Sequence, residues 1–160
     1  MLAQVEFERF AVAVLDELLD LDRSQLDPAG DVEAGSAGYV IDGRLNDAFH
    51  AVNMLWDEGV AVRRVDRPEE GSGLRPGDFL VAADAASGAL SRVAEETGVD
   101  FGPLDADPGS GARPVERLRI GMYQPYWGGN MDEGWTRLML ENFGFPYDTL
   151  FDADVTSGTL

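Results

Sequence analysis

The chain contains no cysteine, no lysine and a single histidine, His50. Without cysteine it has no disulfides, no thiolate nucleophile and no cysteine-ligated zinc site. A zinc site of the usual protein type needs three or four nitrogen or sulfur ligands with carboxylate support, which one imidazole does not supply. His50 is therefore predicted to be a surface or half-buried structural residue of a helix. A pH-sensitive role is the alternative.

The sequence also lacks the patterns of the common catalytic sites. No serine lies in a Gly-x-Ser-x-Gly elbow, and neither phosphate fingerprint, Gly-x-Gly-x-x-Gly or Gly-Lys-Ser/Thr, occurs. The acidic pairs Asp105/Asp107 and Asp152/Asp154 could hold a divalent cation weakly, but they lack the spacing of a calcium loop and are better explained as solvated loops. We expect no catalytic residue, no metal ligand and no cofactor in this chain. An independent enzyme would need carboxylate-only catalysis.

Acidic residues outnumber basic ones by 30 to 12, which gives a net charge of -18. Such a surface repels phosphate backbones and anionic membranes, so nucleic acid is not expected as a partner. No stretch approaches the roughly 18 to 20 apolar residues that span a bilayer. Glu6 and Glu8 stand where a secretory signal would be basic, so no signal peptide is expected in this chain. Its localisation stays open.

Strands and helices are predicted to alternate along the chain. A helix is expected within residues 5–21, after a short extended start, and a loop over 22–37. Further strands are predicted at 39–41, 60–65, 78–82, 99–104, 118–123 and 147–151. Further helices are predicted from Asn46 or Asp47 to the stop at Gly59, over 87–97, and over 130–143. This alternation predicts an α/β fold, an open, mostly parallel sheet flanked by helices with right-handed crossovers.

A stretch rich in aspartate, glycine and proline, residues 105–116, is predicted to be a linker. It divides the chain into an α/β domain over 1–104 and a strand–helix–strand unit over 117–160. One such unit cannot bury both faces of its own sheet. Its strands are therefore expected to join the first sheet, or to be covered by elements that follow Leu160.

The segment from 123 to 137 places aromatic side chains around the carboxyl end of a predicted strand. Ligands of open α/β sheets bind at such ends, and aromatics there suit apolar or sugar-like ligands or a partner side chain. In the alternative interpretation the tryptophans are ordinary core residues, with Trp135 on the inner face of its helix. The candidate contact residues are Tyr123, Gln124, Tyr126, Trp127, Asn130, Asp132, Trp135 and Arg137.

The same part of the chain carries a family resemblance. It reads Arg119-Ile-Gly-Met-Tyr-Gln-Pro-Tyr-Trp, then Asn130-Met-Asp-Glu-Gly-Trp-Thr-Arg137, Glu141-Asn-Phe-Gly-Phe-Pro-Tyr147 and Asp152-Ala-Asp154. These residues resemble a block in large bacterial carboxypeptidase A-like zinc metallopeptidases, where the block follows the peptidase domain and opens a glutamine-amidotransferase-like domain. A weaker likeness to the segment upstream of that block covers residues 39–60 and 77–81.

The resemblance implies that the chain is a connecting domain plus the start of the amidotransferase-like domain, built of flavodoxin-like or Rossmann-like pieces. The family's zinc ligands, a His-x-x-Glu pair and a distant histidine, have no counterpart here, so zinc is expected only in the catalytic domain of a parent protein. The cysteine nucleophile of amidotransferases is missing as well. The expectation that the parent protein is an enzyme therefore rests on the resemblance alone. Proteins of that family are often exported.

Two functions are expected from these observations. The first is a non-catalytic scaffolding or substrate-orienting segment of a zinc carboxypeptidase-like protein, inactive alone. Its partner would be a peptidase domain of the same parent or a second copy of the chain. The alternative is a free-standing α/β module that binds a ligand or a protein through the aromatic region 123–137.

Overall fold

The computed structural model describes residues 29–85, 87–124 and 131–158. Its strands are β1 (Gly38–Ile41), β2 (Val62–Val65), β3 (Phe79–Ala82), β4 (Gly102–Leu104), β5 (Ala112–Val115), β6 (Ile120–Tyr123) and β7 (Tyr147–Leu150). Its α-helices are α1 (Asp47–Asp57), α2 (Ser87–Thr97), α3 (Met131–Asn142) and α4 (Asp152–Ser157). The helix predicted within residues 5–21 lies outside the described residues.

Five strands form an antiparallel sheet in the order β4-β1-β3-β2-β5. Every neighbouring pair in this sheet is antiparallel. Two strand–helix–strand units, β1–α1–β2 and β3–α2–β4, interleave, because β3 lies between β1 and β2 while β1 lies between β3 and β4. This is the split βαβ, or ferredoxin-like, arrangement, with β5 added beside β2.

The predicted open, mostly parallel sheet of flavodoxin-like or Rossmann-like type is therefore wrong. Since β1 and β2 are each antiparallel to β3, they do run parallel to one another, as a helical crossover requires. They are not neighbours, however, and the alternation of strands and helices does not show that a third strand separates them. One local signal was overlooked. No helix separates β2 from β3, and consecutive strands joined by a loop usually pair antiparallel.

Helices α1 and α2 cover one face of the five-stranded sheet, and the main core lies between them and the strands. Their buried faces are rich in alanine, which lets the helices approach the sheet closely. The helical residues of this core are Ala48, Ala51, Val52 and Leu55 of α1, and Leu90, Val93 and Ala94 of α2. A smaller cluster on the opposite face consists of Val65, Leu80, Leu104 and Ala112.

Several predicted boundaries are confirmed. Helix α2 spans the predicted residues 87–97. Gly59 and Gly98 follow α1 and α2 with φ angles of 73° and 68°, the left-handed conformation of helix C-termini. The start of α1 differs in detail, since Asn46 makes no side-chain capping hydrogen bond and the helix begins at Asp47.

The second half of the predicted linker is an edge strand. Residues 112–115 form β5, which pairs with β2, and a single 3₁₀ turn precedes them. Pro114 lies opposite Arg63. Proline has no N–H and is confined to edge strands, which fits the end position of β5 in the sheet. The division of the chain into two domains stays a prediction.

A second, two-stranded sheet follows. Strands β6 and β7 pair in parallel, with Ile120 opposite Tyr147, and α3 connects them. The predicted strand–helix–strand unit is thus confirmed. The acidic pair Asp152/Asp154 was expected to lie in a solvated loop, but both residues belong to α4. The first turn of α4 is closed by a hydrogen bond from the Phe151 amide to Asp154 Oδ2 (2.9 Å).

Candidate interaction surface

The C-terminal unit, defined here as residues 120–157, is fastened to α1 by polar contacts. Asn53 is 1% exposed, and its Nδ2 donates a hydrogen bond to the Phe143 carbonyl oxygen (2.9 Å). Arg117, just before β6, forms an ion pair with Asp57 (2.7 Å) and donates to the Asn53 carbonyl oxygen. Its guanidinium also lies over the Trp56 ring, 5.7 Å from the centroid. Helix α1 therefore holds the unit at two places, the turn between α3 and β7 and the segment that leads into β6.

We expect Asn53→Ala to lower the free energy of unfolding by about 0.5–1.5 kcal/mol, because the part-buried hydrogen bond from the Asn53 amide to the Phe143 carbonyl oxygen is lost. Hydrogen exchange of the Phe145 amide, which bonds to the Leu140 carbonyl oxygen at 2.8 Å, should accelerate as the unit loosens. Asn142→Ala is the matched control, since Asn142 is exposed at the end of α3. Equal effects of the two substitutions would show that Asn53 does not fasten the unit.

The inner face of α3, towards β7, is polar. Arg137 forms an ion pair with Glu133 (2.6 Å), and its guanidinium lies 5.2 Å from the centroid of the Tyr147 ring. Tyr147 Oη donates in turn to Glu141 Oε1 (2.5 Å). The bond to Glu133 raises the pKa of Arg137, and the bond to Glu141 raises the pKa of Tyr147. Both groups therefore keep their protons at neutral pH, and charged hydrogen bonds join the helix to its strand.

The outer face of α3 is apolar and exposed. Met131, Trp135, Leu138 and Met139 are exposed by 78%, 65%, 45% and 56%. Their spacing of i, i+4, i+7 and i+8 puts them on one side of the helix, and we call them the α3 stripe. At 100° per residue this side lies opposite Glu133 and Arg137. An amphipathic surface helix normally turns its apolar face to the core. Here the apolar face points outward, and no residue of α3 is buried.

Other apolar side chains of the same unit are exposed as well. Tyr123, Phe151 and Val155 are exposed by 49%, 52% and 48%. Of the ten large hydrophobic residues exposed in the described part of the chain, seven belong to this unit. The C-terminal unit thus concentrates apolar surface of the kind that marks sites of protein interaction.

The structure separates the predicted contact residues. Tyr123, at the end of β6, donates its hydroxyl hydrogen bond to Asp152, which raises the pKa of the Tyr123 phenol. The Gln124 amide donates to the Leu150 carbonyl oxygen (2.8 Å), so its backbone extends the pairing of β6 with β7.

The remaining predicted residues lie on α3 or outside the described part. Asp132 is exposed in the first turn of α3. Trp135 belongs to the outer stripe and Arg137 faces β7, so the helix does not bring these two together. The alternative that Trp135 is a core residue is wrong, because two thirds of this residue is exposed to solvent. Residues 126, 127 and 130 (Tyr126, Trp127 and Asn130) lie outside the described residues.

Met131, Leu138 and Met139 were not among the predicted contacts. A signal for them exists in the sequence, since together with Trp135 they repeat at helical spacing. Apolar residues at helical spacing are normally taken to mark the buried face of a helix. Without the structure, the charged residues on the other side of α3 are not recognisable as the ones that bind β7.

Three carboxylates of the acidic pairs considered above, those of Asp107, Asp152 and Asp154, accept hydrogen bonds. Asp107 binds Arg63 at 2.7 Å and accepts the Gly109 amide, and the Arg63 bond lowers the pKa of Asp107. Asp152 accepts the Tyr123 hydroxyl. Within residues 29–85, 87–124 and 131–158, no group of three or more His, Asp or Glu side chains is placed to hold a metal ion. His50 is half-buried on α1, as predicted.

No protein-family model, curated protein or solved structure matches this chain. The resemblance to zinc metallopeptidases therefore stays a prediction. None of the helices in the described ranges has the length and apolar character needed to cross a membrane.

Proposed function

We propose that this chain is a non-catalytic scaffold segment of a zinc carboxypeptidase-like protein, and that the α3 stripe docks against the peptidase domain of that protein. The observation that carries the docking is the outward apolar face of α3, from Met131 to Met139. Apolar residues at i, i+4 and i+7 on one helix face are the usual anchors of a helix that binds in a groove of a partner. The peptidase identity of the partner rests on the resemblance of residues 119–154.

The energetics favour a partner domain held in the same polypeptide. Full burial of a large apolar side chain stabilises a complex by about 1.5–3 kcal/mol, and association of separate molecules costs about 4–15 kcal/mol. The four partly exposed side chains of the stripe offset this cost only in part. Covalent linkage raises the effective concentration of the partner to the millimolar range, at which such a small surface is sufficient.

Charge constrains the partner further. With a net charge of -18, the chain disfavours nucleic acid and acidic surfaces. Asp132 lies in the first turn of α3 next to the stripe, so a complementary docking face is apolar at its centre and basic at its rim. Zinc and the catalytic groups then belong to the peptidase domain, and this chain positions that domain or its substrate.

The first test is to sequence the DNA on both sides of this reading frame. We expect in-frame coding that leads into a peptidase domain with a His-x-x-Glu motif. In that joined polypeptide, docking is then measured as the protection of α3 from hydrogen exchange, relative to the 160-residue chain alone. Trp135→Gln should weaken the binding by about thirtyfold or more, since a tryptophan anchor contributes about 2 kcal/mol or more to an interface. The melting temperature should change little, because the side chain is already exposed.

Leu138→Gln and Leu45→Gln form a matched pair of variants. The two leucines are exposed by 45% and 47%, but Leu45 precedes α1 and is not part of the stripe. Only Leu138→Gln should weaken binding. Equal weakening by both variants would contradict docking through the stripe. The absence of a flanking peptidase domain in the DNA would contradict the proposal that the chain belongs to a carboxypeptidase-like protein. Self-association of the chain that Trp135→Gln abolishes would identify a second copy as the partner instead.

A further inference from the structure

A groove of about 500 Å³ opens on the helix-covered side of the five-stranded sheet. Phe49, Val52 and Trp56 of α1 form one wall, and Leu118 and Phe145 line it from the C-terminal part of the chain. Val115 of β5 contributes to the floor. Binding sites for small molecules have volumes of about 300–1,000 Å³ and are mostly apolar with a few placed polar groups. The groove has this size and this lining.

One end of the groove carries two arginines. Arg64 of β2 and Arg113 of β5 lie directly opposite one another across the two strands, and both line the groove. Like charges in that position destabilise a sheet. Asp66 compensates Arg113 through an ion pair of 2.7 Å. No carboxylate in the described part of the chain forms an ion pair with Arg64, although the chain carries 30 acidic residues.

The lining of the groove also contains an acidic residue. Glu116 follows Arg113 by three residues, which is about 10 Å along an extended chain. Along β5 the groove lining therefore runs from Arg113, opposite Arg64, through Val115 to Glu116. The next residue, Arg117, lies over Trp56 and is paired with Asp57. A ligand with one carboxylate matches this order, whereas a second carboxylate at the far end of the ligand would meet Glu116.

We propose that this groove binds an amphipathic monocarboxylate. Arg64 donates hydrogen bonds to the carboxylate, whose planar geometry matches the guanidinium fork. The apolar body contacts Phe49, Trp56 and Leu118. None of the four stripe residues lines the groove, although Met139 lines an adjoining pocket that shares Phe49 and Phe145 with it.

Calorimetry with three eight-carbon compounds tests this proposal on the full chain. Octanoate should bind at least tenfold more tightly than octan-1-ol, which lacks the charge, and than octanedioate, whose second carboxylate meets Glu116. NMR should show octanoate shifting the side-chain signals of Arg64 and Leu118. Equal affinity for octanoate and octan-1-ol, or no binding of octanoate, would overturn the proposal.

Two arginine substitutions then locate the carboxylate. Arg64→Gln should weaken octanoate binding by about tenfold and leave octan-1-ol unaffected, because one charged hydrogen-bond pair is lost. Arg67→Gln changes the net charge equally at an exposed arginine outside the groove, and it should leave the affinity unchanged. The same loss in both variants would show that octanoate responds only to overall charge, and the proposed site would be wrong.

Discussion

Replacing Phe101 by alanine is expected to lower the free energy of unfolding by about 3–5 kcal/mol. Phe101 is 1% exposed and is among the largest fully buried side chains of the main core. Its removal leaves a cavity between the sheet and the helices, which the packed surroundings fill only in part. Domains of this size are stable by about 5–15 kcal/mol, so a large fraction of the folded state should be lost. Urea unfolding followed by circular dichroism measures the change.

Phe151→Ala is the matched control for Phe101→Ala. Phe151 is 52% exposed at the start of α4, so its truncation should change the free energy of unfolding by about 0.5 kcal/mol or less. A large loss for Phe151→Ala would show that this side chain is packed and is not part of the exposed surface. If Phe101→Ala unfolded at the same urea concentration as the wild type, the position of Phe101 in the core would be contradicted.

Replacing Gly38 by alanine should destabilise the chain by about 3 kcal/mol or more, through backbone strain. Gly38 begins β1 with a φ angle of 141°, a conformation that residues with a side chain rarely adopt. A Cβ atom at this position would lie 2.2 Å from the carbonyl oxygen of Val81 on β3. Relief of this contact requires β1 and β3 to separate at the centre of the sheet. The thermal midpoint is expected to fall by several degrees.

The same substitution at Gly88 is the control, and it is expected to raise the stability of the chain. Gly88 lies in α2, and among the described residues no atom outside its chain neighbours and the nearby backbone of the helix lies within 4 Å of a Cβ built there. Alanine is preferred over glycine in helices by up to about 1 kcal/mol, so this variant should be slightly more stable than the wild type. If Gly38→Ala were as stable as Gly88→Ala, the pairing of Gly38 with Ala82 would be contradicted.

The elements that could be predicted are those whose signals are local. Helix α2 has its apolar residues at helical spacing and a glycine directly after its end, and both boundaries were predicted. The strands β1, β3 and β6 were likewise predicted to within two residues at either end. These signals depend on residues a few positions apart, so they can be recognised in the sequence wherever the segment lies in the fold.

The candidate surface was predicted only in part. Trp135 was named as a contact residue, but its role as part of a helical stripe with Met131 and Met139 was not recognised. The direction in which α3 turns depends on contacts between Arg137 and Tyr147, ten positions apart on different elements. The groove was not predicted at all, since Arg64 and Arg113 become neighbours only when β5 pairs with β2.

The sequence by itself determined the types and approximate limits of the elements, the absence of cysteine and of a second histidine, and the strongly acidic surface. The tertiary structure decided the strand order and the outward orientation of the α3 stripe. It also brought Arg64 and Arg113 together. The physical reason is the separation along the chain of the residues that interact. Propensity, periodicity and capping act within a few residues, whereas strand order depends on contacts between distant segments. Here β3 pairs between β1 and β2. The helix-free connection of β2 to β3 indicates that these two strands pair, but no local pattern places β1 on the other side of β3.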